Sequence, residues 1–459
     1  MVIYYNYYCY PYAEEIIKYE PRFLFYRGSG KVKISVIGTG YVGLVTGVCF
    51  AELGNEVICV DVDKEMVDKI NSSITTIYED GLEEMLKKHM TRETLKATTD
   101  LREAVEKTDV SFISVGTPSG LMDYIDLKYV EKVTRDIGKI LKYKEGYHMV
   151  IVKSTVVPGT TEHSVLPILE RYSGKKAGKD FGVAMNPEFL REGKAIEDFM
   201  NPDRIVIGGI DERSTDILLE LYKDFKCKIM KTNPKTAEMI KYATNSFLAT
   251  KSSFINDIGN ICKQLGIDAY EVANGMGMDS RISPKFLNPG IGFGGSCFPK
   301  DVKAIVGKAK EVYYKPTILN AALELNEMQP LKLIELLERN IGFLKGVDIT
   351  ILGLAFKPDT DDMREAPSIK IITSLLMKGA RVHATDPKAL NETRKIFGEH
   401  ERLKLYEDPM EAVKKSKYIM IVTEWDEFKR KELYKGKVVI DGRRVDEARV
   451  AEYYEGVCW

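Results

Sequence analysis

From Lys33 onward, short runs of continuous apolar residues alternate with segments whose apolar positions recur at helical spacing. Lys33–Ile37, Glu56–Asp61, Val110–Val115 and Met149–Val152 read as strands. Runs this short, apolar on both faces and separated by helices, belong to a parallel sheet covered on both sides. The pattern predicts a doubly wound α/β domain that closes near Gly208-Gly209. From Pro234 to Leu265 the period becomes helical, with no further glycine or proline before Gly259. One long helix, bent at Gly259, is expected there, with more helices to about Pro330 and too little chain for another sheet. Alternation returns in Ile349–Leu354, Arg381–Asp386, Tyr418–Val422 and Val438–Asp441. The predicted fold class is therefore α/β: two Rossmann-like doubly wound domains joined by a central helical domain with a long helix. The expected segments are a leader over 1–30, then domains over 31–232, 233–330 and 331–459.

Composition narrows the classes. A chain of 459 residues exceeds what one core serves. Its formal net charge of −1 gives no basic excess for nucleic acid or for an anionic membrane. A site for phosphate must then be local. The seven cysteines form no C-x-x-C pair and no metal-ligand spacing. Free thiols fit a reducing compartment, hence a cytoplasmic protein with no metal site. No apolar run is long enough to span a bilayer. The tyrosine-rich stretch Met1–Gly30 carries Glu14, Glu15 and Lys18 and lacks the form of a signal peptide; it is expected to lie outside the folded domains. A long apolar face on the central helix would suit a homodimer.

Gly38-Thr39-Gly40-Tyr41-Val42-Gly43 has the pattern G-x-G-x-x-G, directly after a strand and at the start of a helix. The first glycine allows the tight turn, the second a close approach to a pyrophosphate, the third close packing of helix on strand. The helix N-terminus offers free N–H groups to phosphates. Asp61 ends the next strand, where a carboxylate accepts from a ribose and repels a 2′-phosphate, so NAD is expected over NADP. A structural glycine turn without a cofactor is the plainer alternative. Thr117, in Val115-Gly116-Thr117-Pro118, lies at the carboxyl end of a strand, as a ligand contact or a simple turn.

Gly292-Phe293-Gly294-Gly295-Ser296-Cys297-Phe298-Pro299-Lys300-Asp301 is the most informative segment. Its glycines let backbone approach a ligand, and Pro299 suits the first turn of a helix. Cys297 then precedes a helix N-terminus with Lys300 nearby, and both favour thiolate. A buried structural cysteine is the alternative. Asp301 is a base or a charge for the first helical turn. Lys241 and Asn245 share one helix face at i, i+4, either toward a site or toward solvent. Glu188, after Asn186-Pro187, acts in chemistry or caps a helix. Arg443 and Arg444 serve a ligand or are surface charges. The second α/β domain lacks a glycine fingerprint and instead ends a strand with Lys357, suited to a nucleotide diphosphate. The active site is expected in the cleft between the domains, over the central helix.

The stretches Gly38–Gly43, Lys153-Ser154-Thr155, Asn186–Leu190, Lys241–Asn245, Gly292–Asp301, Phe356-Lys357-Pro358 and Asp441–Arg444 occur in the order of one family. From Lys33 to Arg444 the chain resembles the UDP-glucose and GDP-mannose dehydrogenases, their UDP-glucose branch most of all. The resemblance implies an NAD-dependent four-electron oxidation of the sugar C6 alcohol to a carboxylate, yielding UDP-glucuronate for polysaccharide synthesis. It implies that Cys297 is the catalytic thiol, passing through thiohemiacetal and thioester. By the same resemblance Lys241 and Asn245 polarise the reacting oxygen, Glu188 and Asp301 handle water and protons, and Thr155 positions the water. Gly38, Gly40, Tyr41, Val42, Gly43, Asp61, Thr117, Thr155, Lys300 and Arg364 would meet the cofactor. Glu188, Phe189, Leu190, Lys241, Asn245, Phe286, Gly294, Lys357 and Arg443 would meet the nucleotide sugar, with Arg281 offered to a neighbouring subunit. Ser296, where the N-acetylhexosamine branch carries His, favours UDP-glucose; GDP-mannose stays open. A non-catalytic sensor of NAD and nucleotide sugars is the rival from another class, and Cys297, Lys241, Asn245, Glu188 and Asp301 together argue against it.

Overall fold

The computed structural model describes residues 32–120 and 124–459, so the expectation for the 1–30 leader lies outside the described residues. The first sheet holds β1 (Lys33–Ile37), β2 (Glu56–Val60), β3 (Leu95–Thr98), β4 (Val110–Ile113), β5 (His148–Val152), β6 (Phe181–Met185), β7 (Arg204–Gly209) and β8 (Lys228–Thr232). Their order is β3-β2-β1-β4-β5-β6-β7-β8. The four residues after Lys33 in β1, and all of β4 and β5, are buried, as helices on both faces require.

Two sequence expectations need correction here. The sheet is not wholly parallel, because β7 runs antiparallel to β6. The domain also does not close at Gly208-Gly209: a helix, Glu212–Leu221, and β8 follow in the same sheet. The edge strand β8 reads Lys-Ile-Met-Lys-Thr with no residue buried, so it lacks the apolar run that marks a central strand. Gly208 has a packing reason, since a Cβ there would stand 2.8 Å from Ala237 Cβ.

The central helix, Pro234–Leu265, starts where Asn233 accepts the Thr236 N–H at 2.8 Å and Pro234 occupies the first turn. It stops at Gly266, whose φ of 67° suits a left-handed cap. The helix runs through Gly259 as one element, the single long helix that was expected. That glycine is there for space: a Cβ would lie 2.7 Å from Cys458 Sγ, where the C-terminal residues pack. Three further helices, Ala269–Gly277, Phe298–Glu311 and Thr317–Met328, complete the helical region.

The second sheet is parallel throughout, in the order β11-β10-β9-β12-β13-β14. Its strands are β9 (Asp348–Leu352), β10 (Arg381–Thr385), β11 (Leu403–Tyr406), β12 (Tyr418–Ile421), β13 (Val438–Asp441) and β14 (Tyr453–Gly456). Each sheet has one switch point, between β1 and β4 and between β9 and β12, where open α/β folds bind ligands. Glycines with positive φ leave both central strands: Gly38 at 95° and Gly353 at 97°. The acid after β10, Asp386, is buried, and one of its oxygens accepts from Leu354 N at 2.7 Å, Ala355 N at 3.1 Å and Trp425 Nε1 at 3.0 Å. Among the described residues no helix is long and apolar enough to cross a membrane.

Candidate active site and dinucleotide cradle

The glycine loop can be tested for its fit to a dinucleotide from its own geometry. A Cβ on Gly38 would stand 2.8 Å from Ser114 O, and one on Gly43 would overlap Gly38 O, so both positions require glycine. Gly40 faces open space and is exposed. The helix it starts, Tyr41–Glu52, has neither a side-chain cap nor an acidic residue in its first turn. Its N–H groups are thus left for an anionic ligand, which is what a pyrophosphate needs. Asp61 is partly committed: one oxygen accepts from Thr39 N at 2.8 Å and Thr39 Oγ1 at 2.7 Å. The other accepts from Asp63 N at 3.1 Å, on the half-buried side where a ribose would compete. Thr117 Oγ1 donates to Thr155 O at 2.9 Å, joining the loops after β4 and β5.

A second cluster sits on the central helix. Lys241 and Asn245 are buried, so the solvated-face alternative does not hold. Lys241 Nζ lies 2.8 Å from Glu188 Oε1, with both side chains below a tenth exposed. Asn245 Nδ2 donates to Asp301 Oδ2 at 2.7 Å. Asp301 stands in the first turn of the helix Phe298–Glu311, whose N-cap is Cys297. Glu188 caps no helix; it accepts the N–H of Leu190 in its own loop at 2.7 Å. Gly294 packs so closely on Glu365 that a Cβ would come within 2.5 Å of its carbonyl.

The electrostatics revise the thiol expectation. Burial pushes the Cys297 pKa up, Glu188 and Asp301 push it the same way, and Lys241 opposes them. These neighbours therefore oppose the expected preference for thiolate. Lys300 does not serve the sulfur either, because its Nζ pairs with Asp301 Oδ1 at 2.7 Å. Burial would lower the Lys241 pKa, but Glu188, Asp301 and Cys297 outweigh it and hold the ammonium above its usual range. Burial would raise Glu188, but Lys241, the Leu190 N–H and Lys153 outweigh it and keep the carboxylate ionised.

The chain matches one family in three successive parts. The NAD binding domain of the UDP-glucose/GDP-mannose dehydrogenase family matches residues 32–226, its central domain 235–328 and its UDP binding domain 350–447. The chain belongs to this family. A UDP-glucose 6-dehydrogenase from Bacillus subtilis is 44% identical over 430 residues, 92% of each chain. The structure of a UDP-glucose dehydrogenase from the hyperthermophilic archaeon Pyrobaculum islandicum superposes with a TM-score of 0.90 at 43% identity, over 95% of this chain and 100% of that one. A UDP-D-ManNAc dehydrogenase from Pyrococcus horikoshii gives 0.80 at 29% identity, over 92% and 98%.

Within this member of the UDP-glucose/GDP-mannose dehydrogenase family, the remaining expected residues differ in what they touch. Lys357 and Arg364 reach the cluster through Glu192: Lys357 Nζ donates to Glu192 O, and Arg364 Nη2 lies 3.3 Å from Glu192 Oε1. Arg443 reaches the same region from the second switch point, donating to Val422 O at 2.8 Å and Phe356 O at 3.4 Å. Phe356 in turn packs its ring against Gly295. Arg444 is the different case: it pairs bidentately with Asp268 at 2.7 and 2.8 Å. Phe189 stacks on Arg204, at 3.8 Å from the ring centre. Phe286 stands 5.9 Å from Phe298, ring to ring. Arg281 is not part of this chain's cluster; it is exposed and bonded to Asp279 at 2.6 Å.

Sequence reasoning missed four residues that organise these groups. Glu192 accepts from Ser296 Oγ at 3.2 Å, and burial with nearby Asp362 raises its pKa to about 7. Glu238, on the Lys241 face of the central helix, accepts from Gly159 N at 2.5 Å and from Thr161 N at 2.8 Å. It thereby ties the turn after Thr155 to that helix. The i, i+3, i+7 spacing of Glu238, Lys241 and Asn245 was the available signal. Glu79 accepts from Tyr41 Oη and from Ala195 N at 2.7 Å, binding the glycine loop to the Glu192 loop. Nothing local in the sequence marks Glu79, since its partners are 38 and 116 residues away. Lys153 is buried beside Glu188 and Lys241.

Proposed function

We propose that this protein oxidises the C6 alcohol of UDP-glucose to the carboxylate with two successive NAD molecules. The observation that carries the reading is the buried Lys241–Glu188 pair and the Asn245–Asp301 pair converging around Cys297. NAD, when bound, accepts the hydrides. The residues of the chain do the rest. The Lys241 ammonium and a free N–H of Asn245 stabilise the oxygen on C6 as its charge develops. Cys297 adds to the aldehyde carbon, which keeps it bonded to the protein as a thiohemiacetal, and the next oxidation leaves a thioester. Glu188, Asp301 and Thr155 orient and deprotonate the water that hydrolyses it. Lys357 and Arg443, at the second switch point, hold the diphosphate. Burial and both acids hold the thiol pKa up, so Glu188 or Asp301 is placed to take its proton as it attacks. The domain boundaries we assign are 31–232, 233–330 and 331–459, in a cytoplasmic enzyme.

The test is the NADH yield with UDP-glucose, GDP-mannose and UDP-N-acetylglucosamine supplied separately. Two NADH per UDP-glucose, with little from the other sugars, is the expected result. One NADH per sugar would instead mean an alcohol-to-aldehyde enzyme and would remove the thioester.

We also assign a homodimer. Met239, Phe247, Phe254, Ile261 and Leu265 are exposed on the central helix, at intervals close to whole turns. They form one apolar stripe roughly 40 Å long at about 1.5 Å per residue. Such a stripe matches its own copy across a two-fold axis. Sedimentation should give the mass of two chains, and Phe247→Asp with Phe254→Asp should give one. A monomeric wild type at micromolar concentration would remove the assignment.

A further inference from the structure

A cavity of about 50 Å³ lies behind the Glu188 loop, and its lining includes neither Cys297 nor Asn245 nor Asp301. Lys153, Asn186 and Glu188 make its buried end, and Arg204 and Phe225 its half-buried rim. Roughly 10–15 Å³ of such space is enough for one water, so there is room for a few.

The polar groups call for them. An ammonium has three donors, and the hydrogen bond that Lys153 Nζ makes within the chain goes to Asn186 Oδ1 at 3.0 Å. The Asn186 oxygen is shared with Tyr222 Oη at 2.7 Å. Glu188 feels the Lys153 charge, yet its ion pair is with Lys241. A buried cation with donors to spare and a buried carboxylate therefore line one small cavity without pairing, in a wall otherwise made largely of apolar side chains such as Phe199, Ile205 and Phe225. Leaving them dry is costly, since an unmet buried donor costs about 1–3 kcal/mol, and more on a charged group.

We infer that ordered water in this cavity bridges Lys153 to Glu188, and that this water carries the proton of thioester hydrolysis from Glu188 to solvent past Arg204. The inference rests on the thioester reading above. In that step water adds to C6 and the C6–Sγ bond breaks. The thiolate leaves with the electron pair and takes one proton of the water. The carboxylate keeps the oxygen, and the second proton passes to Glu188 and out.

Two variants test this. Ile205→Phe fills the cavity from its β7 side, and Lys153→Met removes the inner donor at similar length. In single turnovers with enzyme in excess over UDP-glucose and NAD saturating, NADH is followed by absorbance and the Cys297 adduct by intact mass. The first NADH should form within about twofold of the wild-type rate, while the adduct should decay about tenfold more slowly in both variants. Wild-type decay of the adduct in a folded Ile205→Phe enzyme would overturn the path. A wild-type crystal structure with a dry cavity would overturn it even if neither variant folds. If the wild type forms no adduct, the thioester reading fails and the proton path falls with it, whereas an adduct that decays normally in the variants overturns the path alone.

Discussion

Cys297→Ser should abolish UDP-glucuronate formation, by about 10³-fold or more in kcat, while both ligands still bind. The reason is the difference between a thiol and a hydroxyl in the same place. Cys297 sits at the N-cap of a helix, half-buried, with Lys241 favouring its anion and Glu188 and Asp301 opposing it. Even with its pKa raised, a thiol ionises far more readily than an alcohol, and it leaves far more readily from the acyl stage. Serine therefore fails twice: it captures the aldehyde poorly and, having captured it, would form an ester that water opens slowly. Equilibrium binding of NAD and of UDP-glucose to the variant should stay within about threefold of the wild type, because Cys297 contributes little binding area. Glucuronate production at the wild-type rate would rule out covalent capture. Loss of binding instead of turnover would move Cys297 from chemistry to structure.

Lys241→Met should lower turnover by about 10²–10³-fold, through loss of the charge that meets the developing oxyanion. The same change leaves Glu188 buried without its partner, 2.8 Å away in the native chain. Breaking one side of a buried pair destabilises by about 3–5 kcal/mol, so the melting temperature should fall as well. A readout separates the two effects. Lys241 is the charge that lowers the Cys297 pKa, so its removal raises that pKa further. Alkylation of Cys297 by iodoacetamide should then slow at any given pH below the thiol pKa, and its pH profile should move to higher pH. Glu188→Gln removes a charge that raises the thiol pKa, so its profile should move to lower pH. If both profiles coincide with the wild type, the Lys241–Glu188 pair is structural scaffolding and not part of the thiol's environment.

The strands that were legible share one property: both of their faces are buried. β1, β4, β5, β9 and β13 appear as apolar runs because helices cover each side. The edge strands β3, β8, β11 and β14 carry lysine, threonine, tyrosine or glutamate, and short polar strands leave no period to read. The site followed a similar rule. Lys241 and Asn245 were visible because helical spacing is local, and Gly292–Asp301 because its glycine density is local. Glu79, Glu192 and Lys153 were not, because what defines them is a partner far along the chain. The thiol expectation failed for a related reason. Position before a helix and near Lys300 argued for thiolate, whereas the three-dimensional neighbours include two carboxylates and a lysine already engaged by Asp301.

The sealed acid of the second sheet sets a tempo for the whole cycle. Asp386 occupies the place after β10 that Asp61 occupies after β2, but its oxygen is spent on two backbone amides and the Trp425 indole. Among the described residues, the two halves thus share one plan, but only the first keeps a glycine fingerprint with a partly free acid for an oxidant. A four-electron reaction with one berth must pause halfway, with the first reduced cofactor leaving before the second oxidised one arrives. The length of that pause would depend on how fast NADH leaves and NAD arrives. Under the proposed covalent capture, attachment to Cys297 is what would make such waiting harmless.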